Sequence, residues 1–300
     1  MTAVTVAPRF LHQSWECEAP VPGGLVVGVD GSPKSIEALD TGAAIAAARR
    51  CAAIAVSVLP PLPKSETGDD ATLGRHGAEA LRLSEREEAM GDVLRTAGLI
   101  DRWTYEVVIG RPAPLITWIA EHRRADLIIL GKRPHSLTDR ILGHETTLQV
   151  MRTCDVPVLA VSSTMSLPAT VVAAIDFSPS SVRAAAVALS LMVAPARLFL
   201  AHVESSSPSS DRSGIPLQSD AERRLRDVAQ TLDVPDRVVV ETLVLNGAPA
   251  QSISELADRV GADLIAAGSH GHNPMERFVL GSVSTALVRN TTYPVLVAKA

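Results

Sequence analysis

The sequence predicts an α/β protein made of two tandem doubly wound domains, each a five-stranded parallel sheet with helices on both faces. Two observations predict the layers. Apolar runs of strand length alternate with helical patterns along the chain. The runs are continuous Val, Ile, Leu and Ala rather than alternating, as in strands buried on both faces. A third observation, an internal repeat, predicts the duplication. Leu25-Val-Val-Gly-Val-Asp30-Gly-Ser-Pro33 returns as Val171-Val-Ala-Ala-Ile-Asp176-Phe-Ser-Pro179. Gly110-Arg-Pro112 returns as Gly247-Ala-Pro249, Ala125-Asp-Leu-Ile128 as Ala262-Asp-Leu-Ile265, and Val156-Pro-Val158 as Tyr293-Pro-Val295.

The last three pairs are offset by 137 positions (247 against 110, 262 against 125, 294 against 157) and the first by 146 (176 against 30), so the first copy carries nine extra residues before Gly110. Residues 1–20 read as a disordered tail, 21–163 as the first domain and 169–300 as the second, joined near Ser162–Pro168. In the first copy, the strand ending at Asp30 runs into a helix opened by Ser32-Pro33, an N-cap residue followed by a first-turn proline. The polar, Pro-containing stretch Leu59–Gly77 is the natural place for the extra residues. In the second copy, strand-like runs cover 170–176, 197–203, 237–245, 263–268 and 294–299. Helical patterns cover 180–194, 218–232, 250–260 and 282–290, the first of them again opened by a Ser-Pro pair, Ser178-Pro179.

Hydrophobic residues make up 46% of the 300 and aromatics 3%, so the core must be aliphatic, and a base-stacking platform for single-stranded nucleic acid is excluded. A net charge of −5 removes the electrostatic basis for binding nucleic acid or an anionic membrane. Cys17, Cys51 and Cys154 are too few and too scattered for a disulfide framework or a zinc site. No run approaches the roughly 18 uncharged apolar residues of a membrane helix, and no signal peptide is recognisable. A soluble, cytoplasmic protein is expected.

Ligands of doubly wound sheets bind beyond the carboxyl ends of the strands, where strand order reverses. In the second copy those ends are Asp176, His202-Val203, Asn246-Gly247 and Gly268. After Gly268 come Ser269, His270 and Gly271, then nine residues, then Gly281-Ser282 opening the helical segment Val283–Arg289. Gly268 would let the chain turn off its strand, and Gly271 would let the backbone approach a phosphate. Gly281 and Ser282 would present the open N–H groups and dipole of a helix N-terminus to an anion, with the Ser282 and Ser284 hydroxyls as added donors. A side chain at Gly281 would clash with the phosphate or force positive φ. Asp176 would accept from a ribose hydroxyl or from the adenine amine. Its competing role is to cap the helix that starts near Pro179.

This spacing, G-x2-G-x9-G-[S/T], resembles the nucleotide motif of the universal stress protein family. So do Ile175-Asp176-Phe177-Ser178 and Ala201-His202-Val203. The resemblance covers about Gly23 to Ala300 as a tandem pair. It implies a Rossmann-like, adenine nucleotide alpha hydrolase-like fold with ATP as the ligand. It also implies that Asp176 and the main chain of Val203 hold adenosine. Gly268, Gly271, Gly281 and Ser282, with Val283 and Ser284 in the same helical turn, would then hold ribose and phosphates. Mg would be carried on the phosphates, with no side-chain metal ligand. The first copy departs from the pattern: Gly131-Lys132-Arg133-Pro134, eight residues, then Gly143-His144. Pro134 has no N–H to donate, the loop is one residue short, and His144 replaces Ser or Thr. Asp30, Val58, Gly131 and Gly143 remain as a degenerate second site, to which Lys132 and Arg133 offer positive charge.

Three other patterns read as structural. Gly28 to Ser35 is one residue from a P-loop, but its first glycine would lie inside a strand. His270 and His272 lack a third metal ligand. Asp126 and Asp263 read as solvated strand-start carboxylates. The sequence has no Walker lysine, no acidic metal pair and no water-activating base. It therefore points to a nucleotide-responsive stress-response binding protein rather than an enzyme. A slow ATPase, a self-phosphorylating enzyme and a cyclic AMP-binding protein are the alternatives. In the family the last strand pairs across a two-fold axis. The strands 157–161 and 294–298 can satisfy that within one chain, with a homodimer expected on top of this intrachain pseudo-dimer.

Overall fold

The computed structural model describes residues 24–63, 69–132, 146–204, 220–269 and 280–300, with the backbone alone over 69–75. The expected disordered tail lies outside the described residues. The first half runs β1 (Leu25–Gly28), α1 (Pro33–Arg49), β2 (Ala53–Leu59), α2 (Asp69–Thr96), β3 (Thr104–Ile109), α3 (Pro112–His122), β4 (Leu127–Gly131), α4 (Thr146–Thr153) and β5 (Val158–Val161). The second half runs β6 (Thr170–Ala174), α5 (Pro179–Leu191), β7 (Ala196–Glu204), α6 (Asp220–Thr231), β8 (Val238–Asn246), α7 (Pro249–Val260), β9 (Leu264–Gly268), α8 (Ser282–Asn290) and β10 (Val295–Ala298). No helix among the described residues is long and apolar enough to cross a membrane.

All ten strands form one sheet in the order β3-β2-β1-β4-β5-β10-β9-β6-β7-β8. Each half is therefore the expected doubly wound sheet, parallel throughout, with its first strand between its second and fourth. The halves meet where β5 and β10 pair antiparallel, with Leu159 opposite Leu296. The two last strands thus cover each other's edges, as a tandem chain allows. β3 and β8 become the outer edges, and their residues are partly buried or exposed.

Successive side chains along each strand enter opposite faces of the sheet. Val27, Leu127, Ile129, Leu159 and Leu296 join one apolar cluster. Val26, Ile128, Leu130, Val158 and Val295 join the other. Both clusters run through the β5–β10 join, so the core is continuous across the halves. Leu159 and Leu296, each fully buried, contribute roughly 1.5–3 kcal/mol apiece to it.

The serine caps form as expected: Ser32 accepts from the Ser35 N–H and Ser178 from the Ser181 N–H, with Pro33 and Pro179 in the first turns. The polar stretch Leu59–Gly77, expected to hold the first copy's extra residues, includes the start of a helix. Helix α2 begins at Asp69 and runs 28 residues, against 12 for α6. Asp126 and Asp263 are structural ties rather than merely solvated groups. Asp263 accepts from the N–H groups of Ala169 and Thr170 at 2.9 Å, and Asp126 pairs with Arg49 at 3.3 Å.

Candidate functional site

In the second half the strand order reverses between β6 and β9, so a crevice opens beyond their carboxyl ends. Asp176 stands on one side of it, two residues past β6. Its Oδ1 accepts from the backbone N–H of Ser178 at 2.9 Å and from the Ser178 hydroxyl. Ser178 is itself the N-cap of α5, so Asp176 does serve the start of that helix. Its second oxygen, Oδ2, accepts no hydrogen bond among the described residues and remains available to a ligand.

Val203 borders the same crevice through its main chain. The Ile175 N–H donates to the Ala201 carbonyl at 2.8 Å, so odd-numbered residues of β7 turn their backbone groups toward β6. The latter ends at Ala174. The N–H and C=O of Val203, two residues further on, therefore face the space where β6 has stopped.

On the other side, Gly268 ends β9 and Gly281 precedes α8. The Gly281 N–H donates to the Ser269 carbonyl at 2.7 Å, which ties the two ends of the intervening loop together. In the first turn of α8, the N–H groups of Ser282, Val283 and Ser284 donate to no acceptor among the described residues. Thr285 makes the first intrahelical bond, to Gly281. This is the anion-attracting end of a helix. Gly271, His270 and His272 lie outside the described residues.

Three expectations change. Gly268 is required by packing, at a backbone without positive φ. A Cβ there would lie 2.6 Å from Ser181 N and 2.5 Å from Ser180 Oγ, so the missing side chain is what lets the first turn of α5 pack against β9. Gly281 has φ −56° and ψ 151°, a conformation open to any residue, so no positive φ constrains it. The Ser284 hydroxyl is not a spare donor, because it is buried and bonded to the Gly268 carbonyl. Only Ser282, exposed at the helix start, keeps a hydroxyl for a ligand.

Sequence reasoning missed one neighbour of the site. Phe177 has φ +64°, rare for a bulky residue. Its ring lies 4.5 Å from that of His202 and under the Arg224 guanidinium at 3.8 Å. His202 is fixed in turn by donating from Nδ1 to the Ile175 carbonyl at 2.7 Å. The signal was present in the repeat: the matching residue of the first copy is Gly31, with φ +80°.

The family model for the universal stress protein family matches residues 24–162 and again 169–299. The chain belongs to the universal stress protein family. A universal stress protein of Mycobacterium tuberculosis (strain CDC 1551 / Oshkosh) is 29% identical over 306 residues, spanning 92% of this chain and 95% of its own. Another, from strain H37Rv, is 29% identical over 297 residues, spanning 92% and 97%. The crystal structure of a universal stress protein from Archaeoglobus fulgidus shares the fold, with a TM-score of 0.67 at 21% identity over 92% of this chain and 96% of that one.

The first copy of this universal stress protein repeats the frame of the site and not its contents. Asp30 accepts from the Ser32 N–H at 2.9 Å, as Asp176 does from Ser178. The Val29 N–H donates to Val56 at 2.8 Å, which turns the main chain of Val58 toward the end of β1. Gly131 is closed by packing: a Cβ there would meet the Lys34 carbonyl oxygen at 2.6 Å. Gly143, Arg133, Pro134 and His144 lie outside the described residues. Lys132 offers no charge to this crevice. It is buried and donates from Nζ to the Thr291 carbonyl at 2.9 Å, in the other copy. Lys34, the lysine of the P-loop-like run, pairs with Glu37 at 3.0 Å and donates to the Ser162 carbonyl at 2.6 Å. Gly28 ends β1 as a strand residue, which leaves nothing of a P-loop.

Proposed function

We propose that this universal stress protein binds ATP in the crevice of its second copy and acts as a nucleotide-responsive regulatory protein rather than as an enzyme. The observation that carries the reading is the convergence on one crevice of a carboxylate oxygen and three helix N-terminal N–H groups that have no hydrogen-bond partner among the described residues. The first suits the hydroxyls or amine of adenosine, the second suits phosphates. Asp176 and the main chain of Val203 take the adenosine end. Ser282, Val283 and Ser284 take the phosphates through their N–H groups, with Gly281 and Gly271 leaving room for the phosphates and Gly268 seating α5 beside them. The spacing of these glycines, intact in the second copy alone, supports placing the site there. Magnesium, if bound, sits on the phosphates, since the donors at that end are N–H groups and a hydroxyl.

Nucleotide retained by the full-length protein after gentle purification, identified by mass, tests the ligand. Calorimetric titration then compares ATP with cyclic AMP, and single-site binding of ATP is expected. Release of inorganic phosphate at a rate that matches ATP consumption would replace the binding reading with a hydrolytic one. A purified chain that neither retains nor takes up an adenine nucleotide would remove both.

A further inference from the structure

The first copy has lost its own phosphate motif, yet one residue within it reaches the far end of the helix whose N-terminus faces the second copy's crevice. Lys132 follows Gly131 at the end of β4. Its counterpart 137 positions on (269 against 132) is Ser269, and the two occupy the same place in their sheets. The Lys132 N–H donates to Val161 and the Ser269 N–H to Ala298, each the last residue of the fifth strand in its half. The side chains diverge. Lys132, 5% exposed, crosses the join between the halves and places Nζ 2.9 Å from the Thr291 carbonyl and 3.3 Å from the Thr291 hydroxyl.

Thr291 is the C-cap of α8, the helix whose N-terminus faces the crevice. Its N–H and hydroxyl both bond to the Leu287 carbonyl in the last turn of that helix. The neighbouring Thr292 carbonyl receives the Ser162 hydroxyl, and the Ser162 carbonyl receives Lys34 at 2.6 Å. The first copy thus holds the exit of α8 by two adjacent carbonyls. An ammonium at a helix C-terminus and an anion at its N-terminus stabilise the same aligned peptide dipoles. Over nine residues, about 1.5 Å each, the ammonium and the anion stand roughly 13 Å apart, and opposite charges at that distance across a protein still attract each other.

We propose that Lys132 is a positioning residue through which the degenerate copy holds α8 and strengthens anion binding at the N-terminus of that helix. The proposal rests on the reading of the second copy as a phosphate site. Among the described residues, the charged groups on the elements around Nζ are Lys34 and Glu37 on α1, paired with each other, and Arg289 in the last turn of α8. No carboxylate among the described residues pairs with Lys132, and burial alone pushes its ammonium down to about 7. The capping charge is therefore lost as the solution passes from mildly acidic to mildly basic.

The test uses the full chain and Lys132→Met, with Thr291→Val as a second variant that leaves the lysine in place. Two measurements are made. Amide hydrogen exchange without nucleotide should quicken across Ser282–Asn290 in both variants. Lys132→Met should bind ATP by calorimetry roughly two- to fivefold more weakly than the wild type at pH 6.5, as for a charge at a helix end, and the two should converge by pH 8.5. Unchanged exchange in α8 overturns the proposal whether or not ATP binds. So does wild-type ATP binding whose pH profile Lys132→Met reproduces. Failure of the wild type to bind ATP counts against the phosphate site itself and leaves the exchange result to decide the role of Lys132.

Discussion

Alanine at Gly268 and at Gly131 separates packing from ligand binding at the ends of β9 and β4. A Cβ on Gly268 would sit 2.5 Å from Ser180 Oγ, 2.6 Å from Ser181 N and 2.9 Å from Ser180 C. On Gly131 it would sit 2.6 Å from Lys34 O, 2.7 Å from Lys34 C and 3.1 Å from Lys34 Cβ. In both cases backbone of the first helical turn, α5 or α1, must retreat, and side-chain rotation cannot relieve the contact. Overpacking of this kind costs about 1–3 kcal/mol. Each kcal/mol lowers the thermal midpoint of a large domain by about 2–4 °C. Gly268→Ala and Gly131→Ala should therefore lose comparable stability in urea and on heating. Only Gly268→Ala should also weaken ATP binding, because retreat of α5 drags Ser178 and, through it, Asp176. If either variant unfolds with the wild type, close packing is not why that strand ends in glycine.

Three further outcomes follow from the same geometry. Asp176→Asn keeps an oxygen for the two Ser178 bonds but turns the free acceptor into a donor, so stability should hold while ATP affinity falls by about 1–3 kcal/mol; unchanged affinity would leave Asp176 as a turn residue alone. Gly281→Val meets no backbone strain at φ −56°, so circular dichroism and midpoint should stay near wild type while ATP binding is lost and adenosine binding largely kept; equal losses for the two ligands would withdraw the phosphate assignment. Lys132 releases its proton near 7 in the folded chain and near 10.5 in the unfolded one, so the unfolded state holds more protons between those values and stability rises with pH there. Below pH 7 the buried ammonium withholds that stability, in full on the order of 5 kcal/mol. The stability of the wild type relative to Lys132→Met in urea should accordingly rise from pH 6 to pH 9, and a constant difference would mean that Lys132 does not titrate in that window.

The fold was legible because it is carried by local pattern. Buried parallel strands write themselves as aliphatic runs, and Ser32-Pro33 and Ser178-Pro179 mark helix starts whatever surrounds them. The repeat supplied the duplication, and the family resemblance supplied the pairing of the last strands. The place of the candidate site was legible for the same reason: once strand ends are known, Asp176, Val203, Gly268 and Gly281–Ser284 must gather at one crevice. What local pattern does not encode is which neighbour each residue answers to. Gly268 is glycine because Ser180 and Ser181 press on it from a helix almost ninety positions earlier in the chain. The Ser284 hydroxyl looks like a ligand donor until the Gly268 carbonyl is seen to claim it.

Lys132 marks where a residue-by-residue reading ends and a repeat can still carry it further. In a broken phosphate motif, a lysine beside an arginine reads as charge presented to solvent or to a weak ligand. Its burial depends on the antiparallel join of β5 and β10, which brings the C-terminus of α8 across to the first copy. Periodicity within either half says nothing of that join. Comparison of the halves does: the intact copy has a wholly buried serine, Ser269, at the same place. A lysine at a position whose counterpart is closed to water must either distort the sheet end or find acceptors inside. The Thr291 carbonyl and hydroxyl are those acceptors, 159 residues away. Phe177 yields to the same comparison, since Gly31 in the other copy announces a left-handed backbone that an aromatic residue must be held in by His202 and Arg224. In a duplicated chain, then, the positions where one copy keeps the small or flexible residue and the other does not are the places to look for contacts that the second copy has added.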